Sequence, residues 1–322
     1  MTPQPFGAAE LHTAAAAGIR APSLHNSQPW QFRLRDGAIE VLADPRDHPA
    51  TADRIGWAVR IACGAAVFNA RLALLANGTP AEVRLRPDPA DPIVMARLRP
   101  GPMRPATYTE SDLFTTVGRR HSSREPFWRD PVPADVRMRL VDAARAEGAW
   151  LELLIGMTAL SGFAQIAQSA DRVLRRDPAY QTRLSEWSRT ETADDGVPAM
   201  AAARLAEPQD LLPQRAYGDR PRAPGRDFEP EPLIAILGST GDTATEQINA
   251  GQALQRVLLT ATDAGLATSM ISPPIEVTGA REQLSRSLGG RAGIPQMTLR
   301  IGYGQQPGSP TARRDLAQVI LC

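Results

Sequence analysis

Lysine is absent from this chain: all 36 basic residues among its 322 are arginine, against 35 acidic ones. That removes any Schiff-base lysine, the GxxxxGK phosphate loop, the kinase lysine and the SxxK acyl enzyme. Cysteine is scarce, and Cys63 and Cys322 are too few for a disulfide scaffold or a four-thiolate metal site. The four histidines (His12, His25, His48 and His121) make no HExxH pair, and there is no CxxC, so no metal site is expected. A GxSxG elbow is also missing. The net charge of +1 leaves no basic excess for a nucleic-acid partner. No uninterrupted apolar run approaches the ~20 residues that span a bilayer. The first residues, MTPQPFGAAELHTAAAAG, lack the charged and long apolar regions of a signal peptide. These absences predict a cytoplasmic protein with no membrane partner.

What is present alternates between helix and strand patterns. Residues 8–18 form an alanine-rich helix with a glycine stop. Residues 31–34 and 39–42 flank Asp36-Gly37, a hairpin signal. Residues 54–77 read as one long apolar helix, and 82–85 and 93–98 as strands. Proline and glycine then crowd residues 87–105, which puts a boundary near Ala106. Beyond it come helices at 111–120, 134–147 and 160–176, with a strand at 150–155. Residues 177–232 lose apolar periodicity and gain proline and charge, as a lid-like insertion would. A strand at 233–237, a helix at 243–264 and strands at 267–271 and 297–301 follow. Trp187, inside the insertion, reads more readily as a packed side chain than as part of a cover over the site, and Gly238–Gly241 more readily as a helix cap than as a phosphate loop.

The chain repeats itself. A shift of 187 residues lays Gly64 on Gly251, Ala66 on Ala253, Leu72 on Leu259 and Gly78 on Gly265. A second pair follows the same order: AAAAG at 14–18 precedes Trp30, and AARAEG at 143–148 precedes Trp150. Eleven residues separate glycine from tryptophan in the first copy and one in the second, so the second lacks ten residues, which in the first include PSLHNSQ.

Two polar segments stand out. Residues 21–30, APSLHNSQPW, form a proline-bounded loop between a helix and a strand, either a binding loop or a turn closed by an Asx bond from Asn26. Residues 119–124, RRHSSR, gather three arginines and two hydroxyls, which suit a phosphate dianion or a solvated helix end. His121 within it reads more readily as a packed histidine than as a catalytic one. The pair Arg313-Arg314 adds a basic site near the C-terminus.

Together these segments resemble the FMN-dependent nitroreductase superfamily. PSLHNSQPW is similar to its PSxxNxQPW loop, RHSSREPF to its RHSxK/R-x-F segment, and Ser269–Glu276 to the turn after its central helix. The duplicated pattern, with one copy lacking the first loop, resembles most the actinobacterial Acg-like flavoproteins. The resemblance implies an α+β nitroreductase-like fold duplicated as a pseudo-dimer in one chain. Residues 1–106 would be a degenerate first half and 107–322 the second, with 177–232 as lid. It implies one FMN per chain, NAD(P)H as reductant, a small acceptor such as a nitro compound or quinone, and a chain that need not pair further. By motif position Arg120, His121, Ser122 and Arg124 fall in the phosphate and ribityl segment. Pro22, Ser23, Leu24, Asn26 and Gln28 fall in the loop around ring and ribityl chain. Pro274, Ile275 and Glu276 fall in the turn whose backbone amide points at flavin N5, and Arg313 and Arg314 in the terminal phosphate clamp. No protein nucleophile is required, since the cofactor carries the chemistry. The rival implication is a protein that stores or sequesters FMN under its lid with little turnover.

Overall fold

A computed structural model of the chain describes residues 4–44, 56–189, 193–198, 211–213, 232–289, 293–304 and 311–321. In chain order the elements begin with α1 (Ala8–Gly18), β1 (Trp30–Arg35), β2 (Ala38–Ala43), α2 (Trp57–Ala76), β3 (Ala81–Leu85), β4 (Val94–Pro100) and α3 (Tyr108–Thr116). Next are α4 (Ala134–Arg145), β5 (Trp150–Leu154), α5 (Met157–Arg176), α6 (Pro178–Glu186), β6 (Ser188–Arg189), β7 (Val197–Pro198) and β8 (Leu233–Ser239). The chain ends with α7 (Ala244–Asp263), β9 (Ala267–Met270), α8 (Pro273–Glu276), α9 (Thr278–Ser287), β10 (Ile294–Gly302), α10 (Leu316–Val319) and β11 (Ile320–Leu321).

Two compact units result. The first comprises Met1–Arg120, Asp242–Asp263 and Arg313–Cys322; the second comprises His121–Gly241 and Ala264–Ala312. These units are not the chain-linear halves expected on either side of residue 106. Helix α7 and the C-terminal strand join the front half because each finds its packing partner there. Among the described residues, the insertion expected at 177–232 contributes α6 and the short parallel pair β6–β7; residues 190–192, 199–210 and 214–231 lie outside them.

The first unit is built on a five-stranded sheet ordered β11-β1-β2-β4-β3. The β1–β2 hairpin turns at Asp36 and Gly37, both with positive φ (52° and 68°), the two-residue geometry that matches strand twist. The last strand, β11, pairs in parallel with β1, so the C-terminus completes a sheet begun at residue 30. Helices α1 and α2 cover this sheet with alanine, which allows close packing: a Cβ on Gly18 would sit 2.4 Å from the Phe32 ring. The amide of Asn69 donates to the Ala17 carbonyl (3.0 Å), satisfying an acceptor at the end of α1. Helix α2 is long and apolar enough to cross a membrane by length and composition, yet 83% of that stretch is buried in the fold.

Helices α2 and α7 cross at paired glycines. A Cβ on Gly64 would lie 1.9 Å from the Ile248 carbonyl oxygen, and one on Gly251 2.2 Å from that of Ile61. At one end of the crossing Arg60 Nη1 donates to Gln247 Oε1 (2.8 Å). Further along, Gln255 donates to Asn69 Oδ1 (2.8 Å) within the apolar surroundings.

The second unit holds an antiparallel four-stranded sheet, β5-β8-β10-β9. Its central strand β8 is apolar and almost wholly buried. Helix α5 buries Leu160, Phe163, Ile166 and Leu174 along one side and exposes polar residues on the other. Helix α9 was not evident from sequence because TGAREQLSRS carries too few apolar residues to show a stripe.

Candidate functional site

The site in the first unit begins where α1 stops. The chain turns through Arg20 and Ala21 into a loop at 22–29 that buries Pro22, Asn26, Gln28 and Pro29. Three of its non-glycine residues have positive φ: His25 (56°), Asn26 (57°) and Gln28 (55°). Left-handed backbone without glycine costs on the order of 1 kcal/mol per residue, so surrounding bonds must hold it. Gln28 N donates to Ser23 Oγ (2.9 Å), Trp30 N to the Gln28 carbonyl (2.9 Å), and Cys63 Sγ to the Pro29 carbonyl (3.3 Å). Burial pushes the Cys63 thiol well up, which leaves it a packing residue.

The loop is then tied to the far end of the chain. Arg313 Nη1 donates to Asn26 Oδ1 (3.0 Å). The backbone N–H of Arg314 donates to Gln28 Oε1 (2.9 Å), and Arg314 Nη1 to the Gln28 carbonyl (3.3 Å). Asp44, at the end of β2 and buried, lies 3.7 Å from Arg314 Nη1.

Arg120 closes this group. A capping box between Thr107 and Glu110 starts α3, and the helix ends at Thr116, four residues short of expectation. Arg120 therefore follows the helix end, its N–H bonded to the Thr116 carbonyl (2.9 Å). It is 6% exposed, and its Nη2 donates to the Arg20 carbonyl (3.3 Å). Its Nε and Nη1 are buried with no hydrogen-bond partner among the described residues. Burial, then the charge of Arg313, lowers its pKa to about 9. Burial, then the charge of Arg20, lowers that of Arg313 to about 10. Three guanidinium groups thus share one electrostatic neighbourhood, at a cost in desolvation that an anion would offset. The donor set of Arg120 and Arg313 suits the phosphate of FMN, since Arg120 Nε and Nη1 are buried donors with no acceptor among the described residues and an oxyanion would supply one.

The remaining residues of the motif set sit in the second unit. Ser122 bridges Thr268 in parallel, and Ser123 N donates to the Thr268 carbonyl (2.8 Å), which lays this segment along β9. Arg300, which sequence reading missed, holds it from below: its Nη2 donates to the Glu125 carbonyl (2.9 Å), and its guanidinium stacks 4.1 Å over the Phe127 ring. Phe127 in turn packs on Gly302 and Gly304, where a Cβ would come within 2.9 Å of it. His121, Ser122 and Arg124 are half-buried. Pro274 and Ile275 are buried in α8. The Glu276 amide, expected to point at flavin N5, donates inside its own turn to the Ser272 carbonyl (3.1 Å), because two prolines at the start of α8 leave Ile275 and Glu276 as its first donors. The Thr243–Glu246 capping pair starts α7, so a helix cap accounts for the residues after Gly241.

Sequence reading also missed Arg20 and Asp44. Neither falls in a motif; each is placed by the end of an element, Arg20 after α1 and Asp44 after β2.

Helices packed on two mostly antiparallel sheets make this an α+β protein, with buried arginines gathered beside a polar loop. Residues 117–303 match the model of the Nitroreductase family, and the chain belongs to that family. A Mycobacterium tuberculosis protein named as an NAD(P)H nitroreductase is 31% identical over 318 residues, covering 96% of this chain and 90% of the relative. Another from that organism, acg, also named as an NAD(P)H nitroreductase, is 26% identical over 318 residues, covering 96% and 95%. The solved FMN-dependent nitroreductase NfnB of Mycobacterium smegmatis, in complex with NADPH, is 17% identical with a TM-score of 0.43, covering 65% of this chain and 96% of that one.

Proposed function

We infer that this chain is an FMN-dependent oxidoreductase that passes reducing equivalents from NAD(P)H to a small acceptor, a nitro compound or quinone. The observation that carries the reading is Arg120: a buried guanidinium with two N–H groups lacking an acceptor among the described residues, beside Arg313 and the Asn26 loop. That arrangement suits an oxyanion such as a phosphate dianion better than a neutral ligand. Arg120 and Arg313 would neutralise the phosphate, and the rigid loop would fix its position. When bound, FMN supplies the two-electron exchange. The protein's part is to bind and orient, which agrees with a sequence lacking a catalytic triad.

The chain is further proposed to be a duplicated pseudo-dimer with one flavin site. The crossing of α2 and α7 supports this. Gly64 faces Ile248 and Gly251 faces Ile61, and both pairings exchange residues related by the 187-residue shift. Arg60 and Gln247, which bond directly, are also 187 apart. Such reciprocity is what an isologous interface between two equal copies requires.

The visible spectrum and flavin content of the purified protein test the reading, together with steady-state NAD(P)H oxidation using a nitroaromatic or quinone acceptor. One flavin per chain with turnover is expected. Two flavins per chain would sink the one-site count. Bound flavin with no turnover from either nicotinamide would replace the enzyme with an FMN storage protein.

A further inference from the structure

The second unit contains a cavity of about 240 Å³ that shares no residue with the loop at 22–29, with residues 120–124 or with α8. It forms where three strands reach the same end of their sheet. Leu154 pairs with Ile234 and Ile301 with Leu233, so antiparallel register brings the end of β5, the start of β8 and the end of β10 together there. Phe127, Val132 and Leu160 are buried walls of the cavity. Trp128 and Ile155 line it as well, yet are 59% and 62% exposed, so large apolar groups stand open to water at its edge.

Against this apolar lining stands Arg137, half-buried in α4. Its Nε is buried with no hydrogen-bond partner, and no ion pair joins Arg137 to a carboxylate among the described residues. Arg129 and Asp130 also line the cavity; both are exposed and bring one charge of each sign. Gly156, at the uncapped start of the twenty-residue α5, lines it too and adds the partial positive charge of a helix end.

We propose that this cavity is a second ligand site, for a small monocarboxylate with an apolar, ring-sized body. The walls and the two aromatic side chains would cover the body, and the guanidinium of Arg137 would take the carboxylate. A carboxylate supplies the acceptor that this half-buried cation lacks and offsets its desolvation. A single negative charge suits the site better than a dianion, because one unmatched guanidinium faces apolar walls and Asp130 is nearby in the lining. The site stands independently of the flavin reading above.

Phenylacetate is the probe, titrated calorimetrically into the full chain with its flavin and again after flavin removal. Its neutral relative 2-phenylethanol and the ringless acetate are titrated alongside. Phenylacetate should bind with a Kd below about 1 mM in both states, and each of the other two at least about tenfold more weakly. Arg137→Leu should weaken phenylacetate at least about tenfold and leave 2-phenylethanol within about threefold of the parent. Ile155→Glu, at an exposed position, sets a like charge at the edge of the cavity and should abolish phenylacetate binding; it decides the matter if Arg137→Leu does not fold. No binding of phenylacetate, equal binding of 2-phenylethanol, or unchanged affinity in these variants would overturn the site. Binding that disappears with the flavin would place the ligand at the flavin and overturn it too, whereas loss of the flavin reading alone would leave it standing.

Discussion

Two turns in this chain do the same job by different means. After α4, Gly148 adopts φ 69°, the amides of Gly148 and Ala149 bond back to the carbonyls of Arg145 and Ala144, and Trp150 begins a strand one residue later. This is a glycine stop that needs nothing beyond its own neighbours. After α1, the chain takes eleven residues to reach Trp30, through three left-handed non-glycine residues, and its side chains are bonded to Arg313 and Arg314. The rear turn is solved locally and the front one by partners nearly 290 positions away. Strain held by distant partners agrees with a binding role proposed for the front turn, and the rear turn, closed by glycine, agrees with the one-flavin proposal.

The comparison presupposes two related copies, and the sharpest way to break it is at their shared helix crossing. Gly64→Ala and Gly251→Ala each drive a methyl group into a backbone carbonyl that cannot rotate away. Each should cost about 3 kcal/mol or more in urea unfolding, at the upper end for overpacking. Equal losses are expected, because the two contacts are exchanged by the same 187-residue shift. A loss at one glycine alone would argue against an isologous crossing.

Within the front loop's neighbourhood, Arg120 should outweigh Arg313. It is the more deeply buried and would bring an anion two donors that are unmatched among the described residues. Arg120→Ala should weaken FMN about a hundredfold and Arg313→Ala about tenfold, measured by fluorescence titration. Equal losses would mean that the residues after α3 are not the main anchor.

These differences also explain what the sequence did and did not reveal. Helices α1, α2 and α7 and the β1–β2 hairpin were legible because alanine periodicity, Asp36-Gly37 and flanking glycines are local signals. The rear turn was equally legible. Helix α9 and the strand β11 were not, since one lacks an apolar stripe and the other exists only by pairing with β1. Arg120, Arg313 and Asn26 were found through motifs. The bonds that tie Gln28 to Arg314 were not, because side-chain direction is set by packing. Arg20, Asp44 and Arg300 carry no pattern that would have singled them out.

The two sheets should part company in acid. On the front sheet, the buried carboxylate of Glu40 in β2 accepts from Arg33 Nε (2.6 Å) and Arg97 Nε (2.8 Å). Burial alone would raise its pKa, but the hydrogen bonds and charges of Arg97 and Arg33 together outweigh that and hold it below 4.5. A carboxyl depressed in the folded state stabilises the protein above its unfolded pKa and loses that contribution as pH falls through the folded one. Stability should therefore fall from about pH 4.5 downward, and Glu40→Gln should flatten that slope while costing about 2 kcal/mol at neutral pH. An unchanged acid slope in this variant would place the sensitivity elsewhere.

Glycine in a helix need not mean contact, and α5 makes the contrast with α2. Gly162 lies in the interior of α5, exposed, with no atom of the described residues within 4 Å of where a Cβ would stand. Its backbone is helical, so alanine fits without strain and removes freedom only from the unfolded chain. Gly162→Ala should stabilise the protein by about 0.5–1 kcal/mol in the same urea titration that registers the loss at Gly64. Opposite signs from one substitution type in two helices would separate a glycine kept for close approach from one that is not. A loss at Gly162 would mean that another surface covers this face of α5.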